Sequence, residues 1–285
     1  MKLALGTVQF GQKYGIAGRG EQVPIGEIRS ILMAASKANV RVLDTAAAYG
    51  DIEPRLAELC ANMPFSIISK IPALPGLLQG ETPVEFALNA AKESKKRLGD
   101  RLQGLMFHSS DDLTGPHGKD IWQAVSDWAK SEKIKLGVSC YAPDDFLKLK
   151  QSFDIQIAQL PGNALDQRIA ALAPSDCTIF LRSAFLQGLL LLPLTIAQRR
   201  LPPAASALEK WHNWYQAKGL DPLVAALSVV KSFKAVSTVI VGVDNLAQFE
   251  GIHEAWQAAK PLEAHELADA NLDIIDPRRW KGRSS

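Results

Sequence analysis

The chain has 285 residues, 47% of them hydrophobic and 22% charged, which is enough apolar material for a large core and too little charge for a disordered chain. A formal charge of only +2, with basic clusters no longer than Arg199-Arg200 and Arg278-Arg279, excludes a nucleic-acid footprint. Cys60, Cys140 and Cys177 are too few and too scattered for a disulfide framework or a paired zinc site, which points to a reducing cytoplasm, and no apolar run approaches the roughly 18 residues of a membrane span.

In chain order, short apolar runs rich in β-branched residues fall at 3–9, 41–46, 65–70, 104–109, 135–140, 155–160, 178–183 and 238–243. Between them lie stretches with helical spacing, such as Ile25, Ile28, Ile31, Leu32, Ala35 and then Phe86, Ala90, Leu98, several of them opened by capping residues. Continuous apolar strands joined by helical crossovers imply parallel pairing with both faces covered. Eight such units predict a (β/α)8 TIM barrel, a fold that reaches this length as one unit, so residues 1–285 read as a single domain. The doubly wound alternative should open with a Gly-x-Gly-x-x-Gly turn, and Gly6, Gly11 and Gly15 miss that spacing. Long loops are expected at 110–118 and 184–203. A tail at 261–285 is expected near the active-site rim.

In such a barrel the catalytic groups sit at the C-terminal ends of the strands, so the residue that ends each run is informative. Those residues include Asp44, Lys70 and His108, then Ser139, Gln159, Arg182 with Ser183, and Gly242. A ring of polar residues at that level is hard to account for as core.

The residues at these positions also resemble a known family. Leu5-Gly6-Thr7, the stretch Asp44-Thr45-Ala46-Ala47-Ala48-Tyr49-Gly50, Lys70 and Phe107-His108 resemble the aldo-keto reductases. The likeness runs on through Gly137-Val138-Ser139, Gln159 with Asn163, and Val239-Ile240-Val241-Gly242, and so covers nearly the whole chain. It is nearest to bacterial members with Gly-Thr-Val-Gln-Phe-Gly near the start and an Arg-Ser motif after the seventh strand, which often accompany carbohydrate or surface-polymer genes. The N-terminal hairpin that plugs the barrel in many members is not expected here, since the first apolar run begins at residue 3.

The resemblance implies NAD(P)(H)-dependent reduction of a small-molecule aldehyde, ketone or sugar-like carbonyl, with Tyr49 as general acid. A tyrosine with a pKa of about 10 needs tuning, and the resemblance gives that role to Lys70, held charged by Asp44, while His108 orients the substrate oxygen. It further implies that Ser139 and Gln159 bind the nicotinamide carboxamide with Asn163 nearby, that Arg182 and Ser183 line the ring and pyrophosphate, and that backbone amides around Gly242 suit phosphate. Cys140 stands where many members have asparagine, which alters the carboxamide contact.

NADP(H) is the expected cofactor. Yet the segment from Gly242 through Asp244 to Gln248 carries no Lys or Arg, and Asp244 would accept from a ribose 2′-hydroxyl and repel a 2′-phosphate, so NAD(H) is the rival. His117, His212, His253 and His265 show no ligand spacing, so no metal is expected. Trp122, Trp128, Trp211 and Trp214 read as packing residues of outer helices, and Trp280 as a possible substrate contact. Two alternatives stay open: a Schiff-base lyase using Lys70, and a nucleotide-binding regulatory subunit with little turnover.

Overall fold

The structure, a computed structural model, describes residues 1–13, 15–16, 21–74 and 80–280. The end of the expected tail, 281–285, lies outside the described residues. The strands are β1 (Lys2–Gly6), β2 (Val42–Asp44), β3 (Ser66–Ile71), β4 (Leu102–Phe107), β5 (Lys135–Ser139), β6 (Ile157–Pro161), β7 (Thr178–Arg182) and β8 (Val236–Gly242). Each pairs in parallel with the next, and β8 returns to β1 with Gly6 opposite Gly242, closing the barrel predicted from the eight apolar runs.

The crossover helices form for local reasons. The helix Pro83–Leu98 opens on a capping box between Thr82 and Glu85, has proline in its first turn, and sets Lys95, Lys96 and Arg97 against the negative end of its dipole. The helix Gly118–Ser131 buries Ile121, Trp122, Val125 and Ala129 along one stripe. Trp122 packs there against Phe107 and Phe153, at ring-centroid distances of 6.0 and 5.0 Å. Trp211 likewise is buried, its indole donating to the Leu190 carbonyl at 2.9 Å.

Two cores result. The larger fills the space between helices and barrel wall, and the smaller lies inside the barrel, where Ala4, Ile68, Met106, Ile157, Phe180 and Ile240 meet, with Val42 against them. Side chains two apart on a strand share a face. The position two beyond each of these is Gly6, Lys70, His108, Gln159, Arg182, Gly242 and Asp44. The strand period therefore carries the polar ring of the sequence onto the inner face, one layer above an apolar plug.

One run ends sooner than expected. The run at 3–9 stops as a strand at Gly6, because the amide and hydroxyl of Thr7 both donate to the Asp44 carbonyl, at 2.9 and 3.0 Å. The chain then turns through a short helix, Val8–Gly11, across the barrel mouth. After β7, Ser183, Leu186 and Gln187 hold φ values of 63°, 47° and 57°, left-handed backbone at three non-glycine residues within one loop, of which Ser183 and Gln187 line the mouth.

Candidate active site

Asp44 ends β2 and is buried, while Lys70 near the end of β3 is 1% exposed. Lys70 Nζ donates to Asp44 Oδ1 at 2.7 Å and to the Thr45 carbonyl at 2.8 Å. Gln159 Nε2 donates to the same Asp44 oxygen at 2.7 Å. The Lys70 pKa lies below its ordinary value: burial lowers it most, the charge and hydrogen bond of Asp44 offset part of that, and the charge of Arg182 lowers it slightly further.

Tyr49 lies on the turn that follows β2, its amide donating to the Ala46 carbonyl at 3.0 Å. Its ring stands edge-on to His108, with centroids 6.1 Å apart, and Lys70 Nζ lies 5.5 Å from the ring centroid. Gly11 makes this placement possible. A side-chain carbon there would fall 1.9 Å from the Tyr49 carbonyl oxygen, so only bare backbone can press the first loop against the tyrosine turn. His108 follows β4, anchored by its amide on the Ile71 carbonyl at 3.1 Å. Burial, with the charges of Lys70 and Arg182, pushes its pKa down to about 4, so the imidazole is neutral at physiological pH.

A residue that the sequence reading did not single out supports this group from below. Glu53, on the helix Ile52–Leu59 that follows the tyrosine turn, is 1% exposed. Its Oε1 accepts from Ser69 at 2.6 Å and Ser94 at 2.8 Å, and its Oε2 accepts from Arg97 at 2.9 Å. A buried carboxylate persists only when paired in this way. Ser69 immediately precedes Lys70, so the network ties the helix Ile52–Leu59, β3 and the helix Pro83–Leu98 together. The one local signal was a glutamate in the first turn of an otherwise amphipathic helix.

A cavity of about 720 Å³ opens beside Asp44 and Tyr49 and continues past the ends of β7 and β8, with Gln159, Arg182, Gly242 and Gln248 also among its lining. Gln9 also lines it, and Gln9 Oε1 is buried without a hydrogen-bond partner among the described residues. A side chain on Gly242 would come within 2.5 Å of that oxygen, so the bare strand end and the amide together form a cradle. The volume suits a cofactor-sized ligand, and the cradle, the amides and the hydroxyls suit a polar one.

The remaining expected positions are placed as follows. Ser139 is buried at the end of β5, in register with Gln159. Ser183 lines the cavity, and its carbonyl accepts from Asn163 Nδ2 at 3.2 Å. Asn163 Oδ1 accepts the Leu165 and Asp166 amides, both at 2.9 Å, so this fully buried amide staples its own loop. The Arg182 guanidinium turns away from β8 toward β5, donating to the Cys140 carbonyl at 3.3 Å and lying 4.2 Å from the Tyr141 ring centroid.

Beyond β8, Asp244 and Gln248 line the cavity, and the Asp244 amide donates to Gln248 Oε1 at 2.7 Å. The helix Leu246–Ala258 is capped by Asn245, whose side chain accepts from the Gln248 amide at 2.9 Å. Glu27 Oε1 takes the Leu246 amide at 2.6 Å.

Trp280 is buried, its indole donating to the Ile274 carbonyl at 3.2 Å, and it is not part of the cavity wall. Within the tail, Arg278 lies 3.4 Å from the Tyr141 ring centroid. Among the described residues, no group of three or more His, Cys, Asp or Glu is placed to hold a metal ion, and no helix is long and apolar enough to cross a membrane. Cys60, Cys140 and Cys177 are free and buried.

A sequence model of the aldo/keto reductase family matches residues 2–271. The chain belongs to the aldo/keto reductase family. As a member it is an oxidoreductase acting on small-molecule carbonyl compounds. None of the curated proteins compared with this aldo/keto reductase matches it. Its fold is similar to that of an aldo-keto reductase from Bacillus halodurans, solved in its holo form, at 18% identity, TM-score 0.74, and coverage of 98% of this chain and 95% of that one. A glycerol dehydrogenase from Gluconobacter oxydans is similar at 17% identity and TM-score 0.67, over 99% of this chain and 94% of that one.

Proposed function

We propose that this aldo/keto reductase reduces an aldehyde, ketone or sugar-like carbonyl at the mouth of its barrel, with a nicotinamide dinucleotide in the cavity. The observation that carries the reading is the cluster of Tyr49, Lys70, Asp44 and His108, brought together from three strand ends and one turn, with Tyr49 and Asp44 lining a 720 Å³ cavity and Lys70 and His108 packed near the Tyr49 ring. When bound, the reduced nicotinamide supplies hydride to the carbonyl carbon. Every other requirement falls to the chain.

Tyr49 gives its phenolic proton to the carbonyl oxygen, and the Lys70 ammonium beside it stabilises the negative charge left behind. Asp44 holds that ammonium in place, and Thr7 and Gln159 hold Asp44. His108 is neutral and so acts as a hydrogen-bond donor aimed at the developing oxyanion, with Tyr49 left as the acid. Gln9, Gln159, Ser139, Ser183 and the amides near Gly242 would hold the dinucleotide, with Asp244 and Gln248 at its far end.

Asp244 and the Glu27 carboxylate on the Leu246 amide set two negative groups at that end. They favour a free 2′-hydroxyl, so NAD(H) is supported over the NADP(H) that the resemblance implies. The lyase alternative loses support because Lys70, paired and 1% exposed, is not part of the cavity wall.

The test is single-turnover oxidation of bound reduced dinucleotide by a panel of aldehydes and ketones, in the wild type and in Tyr49→Phe. We expect turnover in the wild type and a loss of about 10²- to 10⁴-fold in the variant, with dinucleotide affinity unchanged. Comparable rates in both would remove Tyr49 as the acid. A wild type that oxidises no bound cofactor with any carbonyl would instead favour a nucleotide-binding regulatory subunit.

A further inference from the structure

Among the described residues, Arg182 is the one lysine or arginine that lines the cavity. Arg182 continues the inner face of β7 two positions beyond Phe180, so the strand period aims it at the barrel mouth. It is only partly exposed. No carboxylate among the described residues lies within ion-pair distance of it, whereas Arg55, Arg97, Arg168, Arg278 and Arg279 each have one.

The groups facing Arg182 leave its charge only partly balanced. Asp44 is committed to Lys70 and Gln159. Asp276, whose carboxyl feels the charge of Arg182, is already held by Arg278 through bonds of 2.6 and 3.0 Å. The guanidinium spends one N–H on the Cys140 carbonyl at 3.3 Å and a long 3.5 Å contact on Ser183 Oγ. Its plane is steadied by the Tyr141 ring, against which Arg278 also rests. A partly buried cation held in a fixed orientation, with donors to spare, is an anion receptor.

Its direction chooses between two anions. The pyrophosphate of a dinucleotide would lie near Gly242 and the helix Leu246–Ala258, beyond β8, whereas the guanidinium leans the opposite way, over β6 toward the β5 loop. Its charge acts on both His108 and Lys70. That is the substrate side of the mouth.

We propose that Arg182 is a specificity-determining residue that binds an anionic group, a carboxylate in the first instance, on the carbonyl substrate. The physiological substrate is then an oxo acid, such as an aldehyde-bearing carboxylic acid or an acidic sugar. This rests on the reading of the site as a carbonyl reductase. Tyr141, Arg278 and Asp276 are positioning residues, fixing the guanidinium without touching substrate.

The experiment compares kcat/KM for 4-oxobutanoate with that for butanal, which has the same reacting group and chain length but no charge, in the wild type, Arg182→Lys and Arg182→Met. In parallel, the affinity for reduced dinucleotide is measured by fluorescence titration, and succinate and succinamide are titrated calorimetrically into the dinucleotide-loaded protein. We expect the wild type to favour 4-oxobutanoate by about 10- to 100-fold, Arg182→Met to bring that ratio close to one, and Arg182→Lys to retain part of it. Succinate should bind the wild type more tightly than succinamide, and that difference should vanish in Arg182→Met.

A wild-type ratio near one, or a ratio untouched by Arg182→Met, overturns the proposal. So does an equal loss on both aldehydes with weakened dinucleotide binding, which would assign the guanidinium to the pyrophosphate. If neither aldehyde nor any other carbonyl is reduced, the carbonyl-reductase reading has failed. The succinate titration then decides the role of Arg182 by itself, with Arg182-dependent binding supporting it and no binding overturning it.

Discussion

At the scale of single residues, the site works by using one cation to adjust another group. Lys70 and Arg182 both bear on His108, and together with burial they hold the imidazole neutral down to a pKa of about 4. This has a consequence for stability. Above the ordinary histidine pKa of 6.5 both folded and unfolded chains carry a neutral imidazole, so the residue contributes nothing that depends on pH.

Between pH 6.5 and about 4 the unfolded chain takes up a proton that the folded chain refuses, so stability falls as pH falls and levels off below. The full difference is on the order of 3 kcal/mol, and solvent at the mouth of the site reduces it. Urea unfolding of the wild type and His108→Gln at pH 7.5 and pH 4.5 should show the wild type losing about 2 kcal/mol more than the variant over that interval. Equal losses would mean that His108 titrates as an ordinary surface histidine.

At the scale of elements, the proposed dinucleotide site places its selectivity at the end of β8 and the helix after it. Three contacts consume donors there: Glu27 on the Leu246 amide, Asn245 on the Gln248 amide, and Gln248 on the Asp244 amide. A helix N-terminus is ordinarily a ready anion site, and here a carboxylate from the helix Ile25–Lys37 occupies its first donor. The wild type should therefore bind NADH more tightly than NADPH. The double variant Asp244→Ser, Glu27→Gln should tighten NADPH by roughly tenfold, the removal of two like charges at modest range, with little change for NADH. Fluorescence titration with each nucleotide measures this, and an NADPH affinity unaltered by the double change would remove both carboxylates from the discrimination.

At the scale of the whole molecule, the barrel joins chemistry that is far apart in sequence, and Glu53 is where the joining is most concentrated. Truncation would remove the acceptor of all three contacts, leaving Ser69, Ser94 and Arg97 without their buried carboxylate. Glu53→Ala should cost about 1–3 kcal/mol in chemical unfolding, the range for leaving buried hydrogen-bond donors without an acceptor, since Arg97 is partly exposed and keeps Glu93 nearby. A loss under about 1 kcal/mol would show that the network is replaceable by solvent.

What local sequence could determine here was set by the periods of strand and helix. Eight apolar runs, the helices between them and the polar residue at the end of each run follow from spacing alone, because side chains two apart on a strand must share a face. Asp44, Lys70, His108, Gln159 and Arg182 were legible for that reason, and Tyr49 through the motif around it. Only the tertiary structure decided the rest: that Gln9 lies against Gly242, that Asn163 staples its own loop, that Trp280 is buried, and that Glu27 reaches the Leu246 amide across 219 positions. The direction in which Arg182 leans belongs with these. Closing a barrel brings strand ends and loops together irrespective of their separation along the chain, and a contact between two such loops leaves no periodic trace in either.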